Sequence, residues 1–133
     1  MKKLYSFLTL FLSIALLFGC SSDDDNTNTV PTVDFDVAIG SYTLRSITNT
    51  AGQAVTGSGT LTVKRENGNT AGFTYAVTLK NGTSTSNVNI TNTYTVSVSG
   101  TKISFGTDHY YQSGALYASI PTGSGIYTAV FTK

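Results

Sequence analysis

The sequence predicts an all-β protein: a small antiparallel barrel of seven or eight strands, or a two-sheet sandwich, behind an apolar leader and a polar tether. Three observations lead there. After Cys20, Thr, Ser, Asn and Gly make up 56 of 113 residues, the profile of wetted strand faces and tight turns. From Val37 onward apolar residues recur at every second position between closely spaced turn residues, and no stretch has helical spacing. Six of the ten leucines lie in the first eighteen positions, so the overall 40% hydrophobic content averages two unlike segments. The same composition excludes a helical bundle, a coiled coil and a strongly basic nucleic-acid-binding face. At 133 residues the chain has room for one core.

Residues 1–19 have the layout of a secretory signal. Lys2 and Lys3 precede Leu4 to Phe18, of which twelve of fifteen are apolar, too short for the ~20 residues of a membrane-spanning helix. The run closes in Leu17-Phe18-Gly19-Cys20, which resembles the bacterial lipobox, with Phe18 standing where the motif usually has a small residue. That resemblance implies a covalent diacylglycerol and an N-acyl chain on Cys20, the only cysteine, with no other cofactor. One buried acyl chain binds marginally and several hold firmly, at about 0.8 kcal/mol per methylene. Ser21, Ser22, Asp23, Asp24 and Asp25 follow, and this run resembles the acidic export signal of Bacteroidetes surface lipoproteins. It implies an anchor in outer-membrane lipid with the domain facing the cell exterior. Adjacent carboxylates repel and stay hydrated, so residues 20–36 read as a tether. Cys20 to Thr32 alone reaches up to about 43 Å when extended.

Residues 37–133 read as the β domain. Gly40 to Leu44 opens the first strand, with Tyr42 and Leu44 on one face and Ile39 and Ile47 on the other. Leu61 and Val63 then alternate with threonines. Glu66-Asn67-Gly68-Asn69 predicts a two-residue type I′ turn centred on Asn67-Gly68, since both central residues tolerate positive φ. In the next strand Phe73, Tyr75, Val77 and Leu79 share a face, and Asn81-Gly82 makes a second turn of that kind. Val88, Ile90, Tyr94, Val96 and Val98 give one long strand or two collinear ones, with Asn92 marking a bend. Gly100-Thr101 leads to Ile103 and Phe105. Ser113-Gly114 joins two further strands as a hairpin, and Ile126 to Thr132 closes the domain.

The opening Gly40-Ser41-Tyr42-Thr43-Leu44, the middle Tyr94 to Phe105 and the closing Tyr127-Thr128-Ala129-Val130-Phe131 resemble the lipocalin-like domains of Bacteroidetes lipoproteins. Where that family has Trp, this chain has Tyr42. The resemblance implies a small barrel and assigns no binding residue.

Catalytic parts are scarce. His109 is the only histidine, and Asp108 beside it in a strand points to the opposite face, so the two cannot orient one another. After the tether only Glu66 and Asp108 carry carboxylates, too few for a paired-carboxylate or metal site. No catalytic or metal-binding residue is therefore assigned. The candidate ligand surface is His109, Tyr110, Tyr111, Gln112 and Tyr117, groups that stack on sugar rings and bond to hydroxyls. The competing reading is cross-strand aromatic packing, one ring inward and the next outward. A small apolar ligand inside the barrel is the third possibility, opposed by the large side chains of Tyr42, Phe73, Tyr75, Tyr94 and Phe105 directed to one interior. The expectation is a lipid-anchored, non-enzymatic binding or envelope-structural module.

Overall fold

The computed structural model describes residues 32–133. The leader, Cys20 and the acidic run Ser21 to Asp25 lie outside the described residues. Eight strands follow a single 3-10 turn at Asp36–Ala38: β1 Gly40–Thr48, β2 Thr56–Asn67, β3 Thr70–Asn81, β4 Ser84–Ser99, β5 Lys102–Phe105, β6 His109–Gln112, β7 Ala115–Thr122 and β8 Gly125–Thr132. Each strand pairs antiparallel with the next, and β8 returns to β1, giving a closed, lipocalin-like up-and-down barrel. Closure excludes the sandwich.

The alternation of β3 sets the core. Phe73, Tyr75, Val77 and Leu79 are all buried, while Thr74 and Ala76 face solvent. Leu61 and Val63 of β2, Phe105 of β5, Leu116 of β7 and Phe131 of β8 meet them across the interior. Burying a large apolar side chain contributes roughly 1.5–3 kcal/mol, so these positions carry most of the stability of a lean domain.

Packed chain begins earlier than Val37. Phe35 is fully buried and meets Phe105 edge-on at 6.1 Å between ring centroids. Arg65 clamps this strap: its guanidinium lies 3.9 Å from the centre of the Phe35 ring, Nη1 donates to the Val33 and Gly68 carbonyls at 3.1 and 2.9 Å, and Nη2 meets Asp36 Oδ1 at 2.7 Å. Tyr42 Oη donates to the Ala38 carbonyl at 2.8 Å, and Lys133 Nζ to the Val37 carbonyl at 2.9 Å. A tether reading that runs to residue 36 misses this because Phe35 stands between two aspartates and shows no alternation.

Several local readings are corrected. In β1, Leu44 pairs with Phe131 and Ser46 with Val130, leaving Arg45 as a bulge. The extra residue reverses the parity of the strand, so Ile47 is buried on the same side as Tyr42 instead of opposite it. In β2 a second irregularity between Arg65 and Asn67 moves the first turn one residue on. Asn67 pairs with Thr70 around Gly68 and Asn69, and neither Asn67 nor Gly68 has the positive φ of a type I′ turn. The turn after Asn81 is centred on Gly82-Thr83, with φ +61° at Gly82 alone, so it too departs from type I′. Asn92 does not bend β4, whose register with β3 runs without a break from Ser84 to Thr95.

Gly59 marks a close approach. Its φ is +147°, and a Cβ there would overlap the carbonyl oxygen of Ala76 on β3, so only glycine fits this part of β2.

Candidate functional site

Strand alternation divides the five candidate residues between two faces, so they do not form one ligand surface. On β6, Phe105 pairs with His109, Ser104 with Tyr110 and Ile103 with Tyr111. His109 faces the interior, Tyr111 lies half-buried at one barrel end, and Tyr110 and Gln112 lie on the outer wall. Ser113 at φ +52° and Gly114 at +82° supply the two positive φ angles of a type I′ turn that fixes this register.

Outside, Tyr110 and Tyr117 are direct cross-strand partners. Their rings stack at 4.5 Å with an interplanar angle of 12°, and Lys102 Nζ stands 4.3 Å over the Tyr110 ring. Both faces of Tyr110 are thus covered, and Tyr117 has Val130 of β8 as its cross-strand partner on the other side. Such a pair contributes about 0.5–1.5 kcal/mol to the sheet. At the barrel end, Tyr111 packs edge-on against Tyr42 at 6.5 Å. Burial, and secondarily Tyr111, push the Tyr42 hydroxyl up to about 12.

Inside, His109 is 6% exposed and sits in an aromatic cage. Its ring lies 4.4 Å from that of Tyr94, 5.7 Å from Phe73 at right angles, and 6.4 Å from Tyr75. Among the described residues neither imidazole nitrogen, nor the buried Tyr75 hydroxyl, makes a hydrogen bond. Desolvation lowers the pKa of His109 below its ordinary 6.5, opposed by the Asp108 charge and the Ser119 backbone. Desolvation likewise raises the Tyr75 hydroxyl, reinforced by Tyr94. At neutral pH His109 is therefore an uncharged ring among rings. Asp108 is exposed outside the cage and forms no hydrogen bond to the imidazole.

The larger surface depressions lie at the strap end and beside β4. A groove of about 550 Å³ lies at the strap end, between Asp34, Asp36 and Val37 on one side and Val98, Ile103 and Tyr111 on the other. A cleft of about 500 Å³ separates Ser86 to Ile90 of β4 from Pro121, Thr122 and Gly123. Its polar groups are hydroxyls and amides, with no ionisable side chain. No group of three His, Cys, Asp or Glu gathers among the described residues.

The strap and its Arg65 clamp, together with Tyr94 as the lid on His109, escaped the sequence reading. An aromatic held between aspartates was the only local signal for the strap. Tyr94 was legible as an inward residue, but its meeting with His109 depends on the β4–β5–β6 register.

No family model matches the chain, and neither a curated protein nor a solved structure does. Fold and site together define a small closed β-barrel with an aromatic-filled interior, an uncharged cleft beside β4 and a groove flanked by Asp34 and Asp36 at the strap end.

Proposed function

We propose that this chain is a lipid-anchored lipoprotein of the outer membrane, carrying its barrel on the cell exterior as a non-enzymatic binding or envelope-structural module. The observation that carries the reading is the placement of the sole cysteine: Cys20 ends the apolar run after Leu17-Phe18-Gly19 and is followed at once by Ser21-Ser22-Asp23-Asp24-Asp25. The likeness of these residues to the lipobox and acidic export signal of Bacteroidetes lipoproteins supports the anchor and its orientation.

The barrel's interior favours a structural module over a carrier of an apolar ligand. Phe73, Phe105 and Phe131 are fully buried along its axis, with Tyr75 and His109 between them. Eight-stranded barrels either fill with side chains or hold one small ligand, and these rings occupy the space. On the outer wall Tyr110 is engaged by Tyr117 on one side and Lys102 on the other, which speaks against its ring as a stacking platform for a sugar.

Metabolic labelling with a fatty-acid analogue tests the anchor: the native chain incorporates label and Cys20→Ala does not. Label retained in Cys20→Ala defeats the reading. Removing Asp23 to Asp25 hides the barrel from protease added to intact cells, whereas unchanged digestion contradicts the export role.

A further inference from the structure

The barrel is closed by unequal strands, and the inequality leaves a backbone edge open. β4 is sixteen residues long, whereas β5 is four and covers only Val96 to Ser99. Among the described residues, Ser84–Thr95 of β4 has a ladder on its β3 side alone. The polarity of that edge follows from the hairpin. Asn81 and Ser84 flank a two-residue turn, so the even-numbered residues of β4 bond to β3 and the odd-numbered ones direct N–H and C=O the other way. Two bonds confirm the phase: Val96 N donates to the Asn69 carbonyl on the β3 side at 2.8 Å, and the Thr95 carbonyl accepts from Gly106 N on the β5 side at 2.9 Å. The backbone groups of Thr85, Asn87, Asn89, Thr91 and Thr93 therefore point away from β3, toward the cleft side, where no strand among the described residues receives them.

Across that cleft the opposing edge is guarded. β7 bonds β6 through Ala115 and Tyr117, so Ser119 and Pro121 share the cleft-facing parity. Pro121 has no N–H to offer, the usual way an edge is blunted, and Ser119 Oγ is engaged with the Asp108 carbonyl at 3.4 Å. β4 carries none of these protections. Ser84–Thr95 contains no proline, no charged residue and no register shift.

We propose that a second copy of this chain occupies the edge, β4 pairing antiparallel with β4 of the other copy about a two-fold axis at Asn89. Self-complementarity is what selects this occupant. With Asn89 opposite itself, Asn87 meets Thr91 and Thr85 meets Thr93 on the outer face, while Val88 meets Ile90 and Ser86 meets Asn92 on the inner one. Polar pairs with polar and aliphatic with aliphatic, as an isologous contact requires, and no like charges oppose. The outer pairings repeat chemistry already present across β3 and β4, where Thr78 Oγ1 donates to Asn87 Oδ1 at 2.9 Å and the Thr74 and Thr91 hydroxyls lie 3.2 Å apart. In this register all five outward-directed residues find backbone partners.

Site-directed cross-linking on the full chain in intact cells tests the register. Facing residues of a hydrogen-bonded antiparallel pair stand about 5.5 Å apart between Cα atoms, inside the disulfide range of roughly 4.4–6.8 Å. Under mild oxidation Asn89→Cys gives a covalent dimer above the background set by the native chain, whose only cysteine is Cys20. Ser97→Cys, on the same outer face but beneath β5, stays at background. In detergent, Asn89→Lys lowers the dimer association constant at least tenfold while its circular dichroism matches that of the native chain. A native chain that sediments as a monomer, a dimer indifferent to Asn89→Lys, or equal cross-linking from Ser97→Cys overturns the proposal.

Discussion

Phe73→Ala lowers the unfolding free energy by about 3–5 kcal/mol, the range for removing a buried aromatic ring. Phe73 is fully buried, and its ring lies 4.9 Å from Phe105, 5.0 Å from Tyr94, 5.7 Å from His109 and 6.2 Å from Tyr75. Four neighbours on three other strands or their own cannot all collapse into the space it leaves, so the cavity cost adds to the lost transfer energy. Domains of this size are stable by about 5–15 kcal/mol in all, so the variant loses roughly a fifth or more of its stability. At 4–8 °C for each kcal/mol, its thermal midpoint falls by about 12 °C or more. Tyr117→Ala, which removes a ring stacked on the outer wall, costs about 1 kcal/mol beyond area burial and serves as the comparison. Equal midpoints for the two variants would contradict the assignment of Phe73 to the centre of a filled barrel.

Acidification from pH 6.5 toward pH 5 destabilises the native domain, and His109→Phe removes most of that dependence. The groups facing His109 are Phe73 and Tyr75 from β3, Tyr94 from β4 and the backbone of Ser119 from β7, with Asp108 preceding it. None of the facing side chains bears a charge at these pH values, and Asp108 only partly offsets the burial. The folded pKa lies below the unfolded value of 6.5, so the unfolded chain binds the proton first. Stability is accordingly full above pH 6.5 and declines as pH falls, by about 1.4 kcal/mol per unit, until the folded pKa is reached. The chain has one histidine, and carboxylates titrate mainly below pH 4.5, so this window isolates His109. Phenylalanine also replaces two unpartnered nitrogens with an apolar ring of similar size, which leaves stability at pH 7 equal or higher. Denaturant unfolding at pH 7, 6 and 5 reads both effects. A flat native profile, or an identical slope in His109→Phe, would refute the cage.

Much of the barrel was legible because a strand with one wet face writes its register into alternate residues. Phe73 to Leu79 on β3 and the Ser113-Gly114 turn read directly from that rule. What stayed hidden was every place where one residue breaks the period. Arg45 bulges and carries Ile47 inward; the irregularity at Glu66 displaces the Asn67-Gly68 turn; Asn92 sits in an unbroken ladder despite its polarity. Phe35 is held by the Arg65 guanidinium, thirty residues away, which also bonds the Val33 carbonyl and the Asp36 carboxylate, and no local pattern encodes this. For the site, the parity of β6 was enough to separate Tyr110 from Tyr111, but the stacking of Tyr110 on Tyr117 and the caging of His109 depend on which strands become neighbours at closure.

The neutral edge of β4 and the proposed lipid anchor at Cys20 bear on each other. Lipid anchoring confines copies to a plane, which raises their encounter frequency and favours a weak two-fold contact. Both the location of the barrel and its confinement to a plane therefore depend on the proposed acylation of Cys20. Intact-mass analysis of the native protein extracted from membranes tests it most directly. The expected result is a mature chain beginning at Cys20 whose mass exceeds that of residues 20–133 by a diacylglycerol and an amide-linked acyl chain. A chain that begins elsewhere, or an unmodified Cys20, would contradict it.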